Sequence, residues 1–113
     1  MSNSKIIFDV ELDQENVPTK INWSASDNPQ GEQPSETKAV SIALWDHQSK
    51  QSLRIDLWAK DMPVDEMKKF YIECLAGLGD SIKRSTDDDE MAQQVHTLCE
   101  NLVEHVKNTS EQK

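Results

Sequence analysis

The stretch LRIDLWAKDMPVDEM, residues 53–67, contains the change of hydrophobic period that decides the fold class. Its first part, LRIDLW, alternates apolar and polar residues, which is the period of a strand with one buried face. After Pro63 the apolar residues recur every three or four positions as far as Ile82, which is the period of an amphipathic helix. We expect Asp61 to cap this helix, because an aspartate just before the first turn can accept a backbone N–H. The stretch therefore predicts a strand that passes into a long helix.

Three segments that precede this stretch also have the strand period. They cover about residues 5–12, 19–25 and 39–46, and the strand of the opening stretch covers about 51–59. The polar segment HQSKQ between the last two strands is short enough to predict a hairpin. The segment SDNPQGEQPSET, about residues 26–37, has two prolines, one glycine and no large apolar residue, so we expect a mobile loop there.

Two helices are predicted after the strands, at about residues 63–84 and 87–107. The second begins within STDDDEM, where Ser85 or Thr86 is the expected N-cap and the acidic residues favour the first turn. Residues 108–113 are polar and are expected to fray. Strands grouped before helices predict the α+β class. We expect a four-stranded antiparallel sheet followed by two helices packed on one face, in a single domain over residues 1–113.

The composition argues against several classes of function. The formal net charge is −9 and no cluster of lysine and arginine is present to neutralise phosphates, so no nucleic acid is expected as a partner. No stretch reaches the ~20 apolar residues of a membrane helix, so we expect no direct membrane insertion. The first residues, MSNSKIIFDV, contain no apolar signal segment, which predicts a cytoplasmic protein with Cys74 and Cys99 as reduced thiols.

The sequence has no strong pattern of catalytic or metal-binding residues. His96 and Cys99 have a spacing that can place two ligands on one metal, but Cys99 belongs to the apolar stripe of the helix, which favours a role in the core. The acidic run lacks the spacing of a calcium loop, and no P-loop, dinucleotide motif or glycine-flanked serine is present. We therefore expect no enzyme, no cofactor and no metal. The alternative is an enzyme or metal protein that uses Asp56, Asp61, His96 or Cys99.

The most informative residues lie on the side of the predicted hairpin opposite its apolar side. Trp45 is on one strand, and Arg54, Asp56 and Trp58 are on the other. Exposed aromatic residues beside an arginine are typical of interface centres. These four residues are the predicted interaction site, for a homodimer, a higher homo-oligomer or another protein. The alternative is that the two tryptophans fold over the sheet edge and pack locally.

The opening stretch also closely resembles a signature segment of the gliding-motility protein GldC family of Bacteroidetes. The segments VELDQENVP, INWSASD, LWD and STDDDEM match as well, so the resemblance covers about residues 6–106. It implies a small accessory protein of gliding motility with no assigned catalytic residues. The implied partners are other gliding-motility proteins, and the membrane-associated protein GldB is the candidate among them.

A weaker similarity concerns topology alone. Four strands followed by two helices in a small acidic protein is similar to the export chaperone SecB. This similarity implies an alternative function, a chaperone or export adaptor that binds client polypeptides through exposed apolar grooves.

Overall fold

The computed structural model of the chain describes residues 2–27 and 33–111, with side chains described as far as Thr109. Within these residues five strands precede two helices, which confirms the α+β class. The elements are β1 (Ile6–Leu12), β2 (Pro18–Ala25), β3 (Ser35–Thr37), β4 (Ala39–Trp45), β5 (Ser52–Trp58), α1 (Val64–Thr86) and α2 (Asp89–Glu111).

The chain divides into two compact units. The first, Met1–Met62, contains the strands, and the second, Pro63–Lys113, contains the helices. The expectation of one domain over residues 1–113, with the helices packed on a face of the sheet, stays a prediction.

The expectation of a single four-stranded sheet is wrong. β1, β2 and β3 form one antiparallel sheet in that order, and β4 and β5 form a separate two-stranded ribbon. The chain changes its pairing partner at Lys38. Thr37 still lies opposite Ile21 of β2, whereas the Lys38 carbonyl accepts a hydrogen bond from the Ala59 N–H, next to β5. This change involves only backbone groups, so the hydrophobic period of the sequence does not reveal it.

The connection between β1 and β2 is organised by the side chain of Asp13. Its Oδ1 accepts the N–H of Glu15 at 2.8 Å and the N–H of Val17 at 3.1 Å, and its Oδ2 lies 2.9 Å from Lys60 Nζ. The hydrogen bond from Lys60, followed by those from the two backbone N–H groups, holds the pKa of Asp13 below its usual value. The Lys60 N–H also donates to the Pro18 carbonyl, so the segment after β5 is tied to the start of β2.

The first unit buries few large side chains. Ile21, Val40 and Ala59 are buried, and Ile21 is the only large side chain fully buried among the described residues. Many other apolar residues of the strands remain exposed, among them Ile6, Ile7, Phe8, Leu12, Leu44, Leu53 and Ile55. Their apolar surface is therefore accessible to other molecules.

The turn between α1 and α2 is built by two aspartates. Asp87 takes the left-handed conformation, with φ of 59°, and its N–H donates to a carbonyl of the last α1 turn. Asp88 then caps α2, because its Oδ1 accepts the Met91 N–H at 3.0 Å. The predicted N-caps are therefore wrong, since Ser85 and Thr86 are the last residues of α1.

The two helices meet through small residues. Gly79 of α1 and Ala92 of α2 are both buried. Cys99 is buried as well, and its Sγ lies 3.9 Å from the Ile72 carbonyl oxygen of α1. The thiol therefore occupies the core position that its place on the apolar stripe indicates.

Three boundaries also differ from expectation. β3 occupies the end of the predicted loop over residues 26–37, and residues 28–32 of that loop lie outside the described residues. α2 continues to Glu111, so residues 108–111 are helical, and residues 112–113 lie outside the described residues. The fraying of residues 108–113 stays a prediction. Asp61 does not cap α1. The N-cap residue is Pro63, without a side-chain hydrogen bond, and Asp61 pairs with Lys38 at 3.1 Å.

Candidate functional site

The four predicted site residues lie on one side of the β4–β5 ribbon. The pairs of residues directly opposite each other on this side are Ala39–Trp58, Ser41–Asp56, Ala43–Arg54 and Trp45–Ser52. We call these eight residues the Trp face. The other side of the ribbon carries the apolar pairs Val40–Leu57, Ile42–Ile55 and Leu44–Leu53.

The backbone pairing of the ribbon explains why side chains on the Trp face lie close together. The Lys38 carbonyl accepts the Ala59 N–H, and the Asp46 N–H donates to the Gln51 carbonyl, so both of these pairs are hydrogen-bonded. Hydrogen-bonded and non-hydrogen-bonded pairs alternate along antiparallel strands, which makes all pairs of the Trp face non-hydrogen-bonded. Cα atoms in such pairs are only about 4.5 Å apart. Side chains on opposite strands are therefore within reach of one another.

A hydrogen-bonded cluster of three polar side chains forms the centre of the Trp face. The Ser41 hydroxyl donates to Asp56 Oδ1 at 2.6 Å. Arg54 Nη2 donates to Ser41 Oγ at 2.8 Å and to Asp56 Oδ1 at 3.0 Å, and Arg54 Nε donates to Asp56 Oδ2 at 3.3 Å. Each side chain contacts both of the others, so the cluster holds the guanidinium and the carboxylate in fixed positions.

The cluster keeps Asp56 ionised. The hydrogen bond from Ser41, followed by those from Arg54, holds the pKa of Asp56 below its usual value. At neutral pH the carboxylate therefore balances the charge of the neighbouring guanidinium. The centre of the Trp face is polar, but its two charges cancel.

The two tryptophans lie at opposite ends of the Trp face. Trp45 is the last residue of β4 and Trp58 is the last residue of β5, and the two strands are antiparallel. Trp45 is 66% exposed and Trp58 is 46% exposed. Each ring therefore retains a large accessible apolar surface beside the polar cluster.

Sequence reasoning placed Arg54 and Asp56 on the same face, and the structure brings the two together. The sequence alone assigned no role to Ser41, which completes the cluster. The feature that identifies Ser41 as a member of the cluster is the hairpin register, which sets Ser41 directly opposite Asp56. That register depends on the turn, where Asp46 accepts the Ser49 N–H through its side chain and Lys50 takes a positive φ of 58°. A chain with a different turn would place another residue opposite Asp56.

The other candidate residues are occupied by structural contacts. Asp61 pairs with Lys38, and the hydrogen bond that Lys38 donates to Asp61, followed by the one it donates to Glu36, raises the pKa of Lys38. His96 Nε2 lies 3.3 Å from Asp80 Oδ1, within the helical unit. No group of three or more histidine, cysteine, aspartate or glutamate residues is placed to hold a metal ion within residues 2–27 and 33–111.

The chain matches a known protein family over most of its length. The family described as "Gliding motility-associated protein GldC-like" matches residues 18–108, which is more than half of the chain. The chain belongs to this GldC-like family. The whole β4–β5 ribbon, with the Trp face, lies inside the matched residues, whereas β1 lies outside them.

No curated protein and no solved structure matches the chain. Neither helix of the described part of this GldC-like chain is both long and apolar enough to cross a membrane.

Proposed function

We propose that this GldC-like chain is a non-enzymatic accessory protein of bacterial gliding motility, which acts in the cytoplasm by binding another protein through the Trp face. Membership of the GldC-like family supports the association with gliding. The observation that carries the binding role is the pair of exposed tryptophans on either side of the Ser41–Arg54–Asp56 cluster.

Such a surface suits protein recognition for two physical reasons. Tryptophan and arginine dominate the energetics of protein interfaces, because each combines a large contact area with a directional polar group. Arg54 and Asp56 are already fixed by hydrogen bonds, so less side-chain entropy is lost when a partner binds. The Trp face therefore offers two apolar anchors at its ends and a preorganised polar centre.

The proposed partner is another gliding-motility protein, with GldB as the first candidate. Its binding surface should offer apolar pockets for Trp45 and Trp58. It should also offer hydrogen-bonding groups for a guanidinium and a carboxylate whose charges cancel. A strongly charged partner surface would gain little from this centre, so the interaction should depend only weakly on ionic strength.

Copurification from a gliding bacterium tests this proposal. The native chain and the double variant W45A/W58A would each be tagged and expressed in place of the chromosomal copy. We expect the double variant to lose a specific gliding-motility partner and to slow colony spreading. L98A is a matched control, because Leu98 is a large apolar residue of α2 that is 47% exposed and distant in sequence from the Trp face. Equal recovery of the partner by W45A/W58A and the native chain would contradict the proposal.

A second candidate function is a SecB-like chaperone or export adaptor. The apolar side of the ribbon favours it, because Leu44, Leu53 and Ile55 are 53%, 54% and 46% exposed and could contact an unfolded client. Suppression of the aggregation of an unrelated unfolding protein separates the two functions. A specific adaptor leaves aggregation unchanged, whereas a chaperone of this kind suppresses it in proportion to its concentration.

A further inference from the structure

One long edge of the three-stranded sheet carries no neighbouring strand among the described residues. β1 is the outer strand of that sheet and pairs only with β2. The Ser26 N–H donates to the Lys5 carbonyl, so Lys5 and Ser26 are a hydrogen-bonded pair just before β1. Because such pairs alternate, the backbone groups of residues 7, 9 and 11 point to β2. Those of Ile6, Phe8 and Val10 point to the open side.

This edge has little protection against pairing. Natural sheets block their edges with proline, bulges, very short strands or charged side chains, and the regular part of β1 has only the charge of Asp9 among these devices. β1 is seven residues long and contains no proline, and its one irregularity lies at its end, between Glu11 and Leu12. The segment from Ile6 to Val10 is therefore regular, and Ile6 is 68% exposed.

Two opposite charges flank the open edge. Lys5 precedes β1 and Glu11 is near its end, and both lie on the same face of the strand as Ile7 and Asp9. Neither Lys5 Nζ nor the Glu11 carboxylate has an ion pair or a side-chain hydrogen bond within the described residues. Six residues of extended strand separate them by about 20 Å, so they cannot contact each other within one chain.

We propose that β1 pairs antiparallel with β1 of a second copy of the chain, about a two-fold axis at Phe8. In this register Ile6 lies opposite Val10 of the second copy, and Phe8 lies opposite Phe8. The outward backbone groups of both strands then satisfy each other. Lys5 of each copy lies opposite Glu11 of the other, so the symmetric pair contains two complementary cross-strand charge pairs.

Charge disfavours one of the two neighbouring registers, and the length of the paired segment disfavours the other. A shift of two residues in one direction places Asp9 opposite Asp9, and directly opposed like charges are destabilising. A shift in the other direction sets Lys5 opposite Asp9, which is also a complementary pair, but it places Val10 opposite Ser4, which precedes β1, and so shortens the paired segment. The proposed register is the one that pairs the whole regular segment with complementary ends. It uses β1 alone and does not rest on the function proposed for the Trp face.

Charge reversal tests the pairing and its register. Sedimentation of the full chain over a dilution series would compare the native chain, K5E, the double variant K5E/E11K and K50E. K50E is the matched control, since Lys50 lies in the β4–β5 turn and its replacement changes the net charge equally.

We expect a native dimer that K5E weakens about tenfold or more, because each dimer then contains two repulsive pairs. K5E/E11K should recover most of the native affinity, and K50E should leave it unchanged. E11K and K5E/E11K both place a lysine opposite Lys20 of the same chain, so far-UV circular dichroism must first show that the double variant keeps the strand content of the native chain. A native chain that stays monomeric, equal weakening by K5E and K50E, or no recovery in K5E/E11K would overturn the proposal.

A zero-length carbodiimide cross-link supplies a second measurement. Because Lys5 and Glu11 of one chain are about 20 Å apart, a Lys5–Glu11 amide can form only between copies. We expect this amide in peptide maps of the native dimer and its absence from K5E. A cross-linked dimer that instead joins Lys5 to Asp9 or to Asp13 would overturn the register.

Discussion

Two glycines of α1 provide a matched pair for testing the helical hairpin. Gly77 is exposed and Gly79 is buried, and both lie in the interior of the helix. Replacement of a helix-interior glycine by alanine is worth about 1 kcal/mol in intrinsic helix propensity. If propensity were the whole effect, G77A and G79A would stabilise the chain equally.

Packing against α2 separates the two variants. A Cβ at Gly77 has no heavy atom within 4 Å, whereas a Cβ at Gly79 lies 3.0 Å from His96 Nε2 and 3.3 Å from Val95 Cγ1. The His96 ring can rotate away, but Val95 is β-branched and has little rotamer freedom. Overpacking costs roughly 1–3 kcal/mol. We therefore expect G77A to raise the free energy of unfolding by about 1 kcal/mol. In G79A the cost of overpacking should cancel or exceed the gain in helix propensity.

Urea unfolding followed by far-UV circular dichroism measures the difference. With a slope of about 2 kcal/mol per molar urea, a gain of 1 kcal/mol moves the midpoint upward by roughly 0.5 M. We expect that shift for G77A and no upward shift for G79A. An equal upward shift for both variants would refute the close approach of α2 to Gly79. A downward shift for G77A would refute the open surroundings of that position.

Three further variants test single hydrogen-bonding groups. D88A should lower the free energy of unfolding by about 1 kcal/mol, because α2 loses its N-cap, and urea unfolding measures the loss. Asp13 has a lowered pKa in the folded chain, so the stability it contributes should be present above pH ~4 and disappear as the pH falls through the lowered value. D13N no longer forms an ion pair with Lys60, so its free energy of unfolding should lack that part of the dependence on acidic pH. S41A should raise the pKa of Asp56 toward its usual value, as measured by a carboxyl NMR titration.

The hydrophobic period indicates four of the five described strands and both helices, because it records which residues of a helix or strand share a side. LRIDLWAKDMPVDEM contains the end of β5 and the start of α1, where the strand period gives way to the helix period. The same period placed Arg54, Asp56 and Trp58 together on one side of β5. These results follow from local geometry, because the period of a helix or strand is set by the residues of that segment alone.

The features that the sequence did not reveal depend on backbone hydrogen bonds between segments. The division into two sheets follows from the change of partner at Lys38, which alters no side-chain pattern. The helix turn follows from Asp87, whose left-handed conformation moves the start of α2 past the serine and threonine that a capping pattern favours. Ser41 gained its role only from the register that places it opposite Asp56.

The exposed apolar residues of the strands are surfaces on which the chain can assemble with other molecules. Alternation in β1 and β5 identifies one apolar side of each strand, yet Ile6, Leu53 and Ile55 are 68%, 54% and 46% exposed. An apolar surface gains free energy wherever it leaves water, whether the surface that covers it belongs to the same chain or to another one. Strand periodicity therefore marks surfaces that can be covered on association as well as on folding. Pairing of β1 between copies would cover part of this surface and, by mass action, raise the stability of the folded chain as its concentration rises.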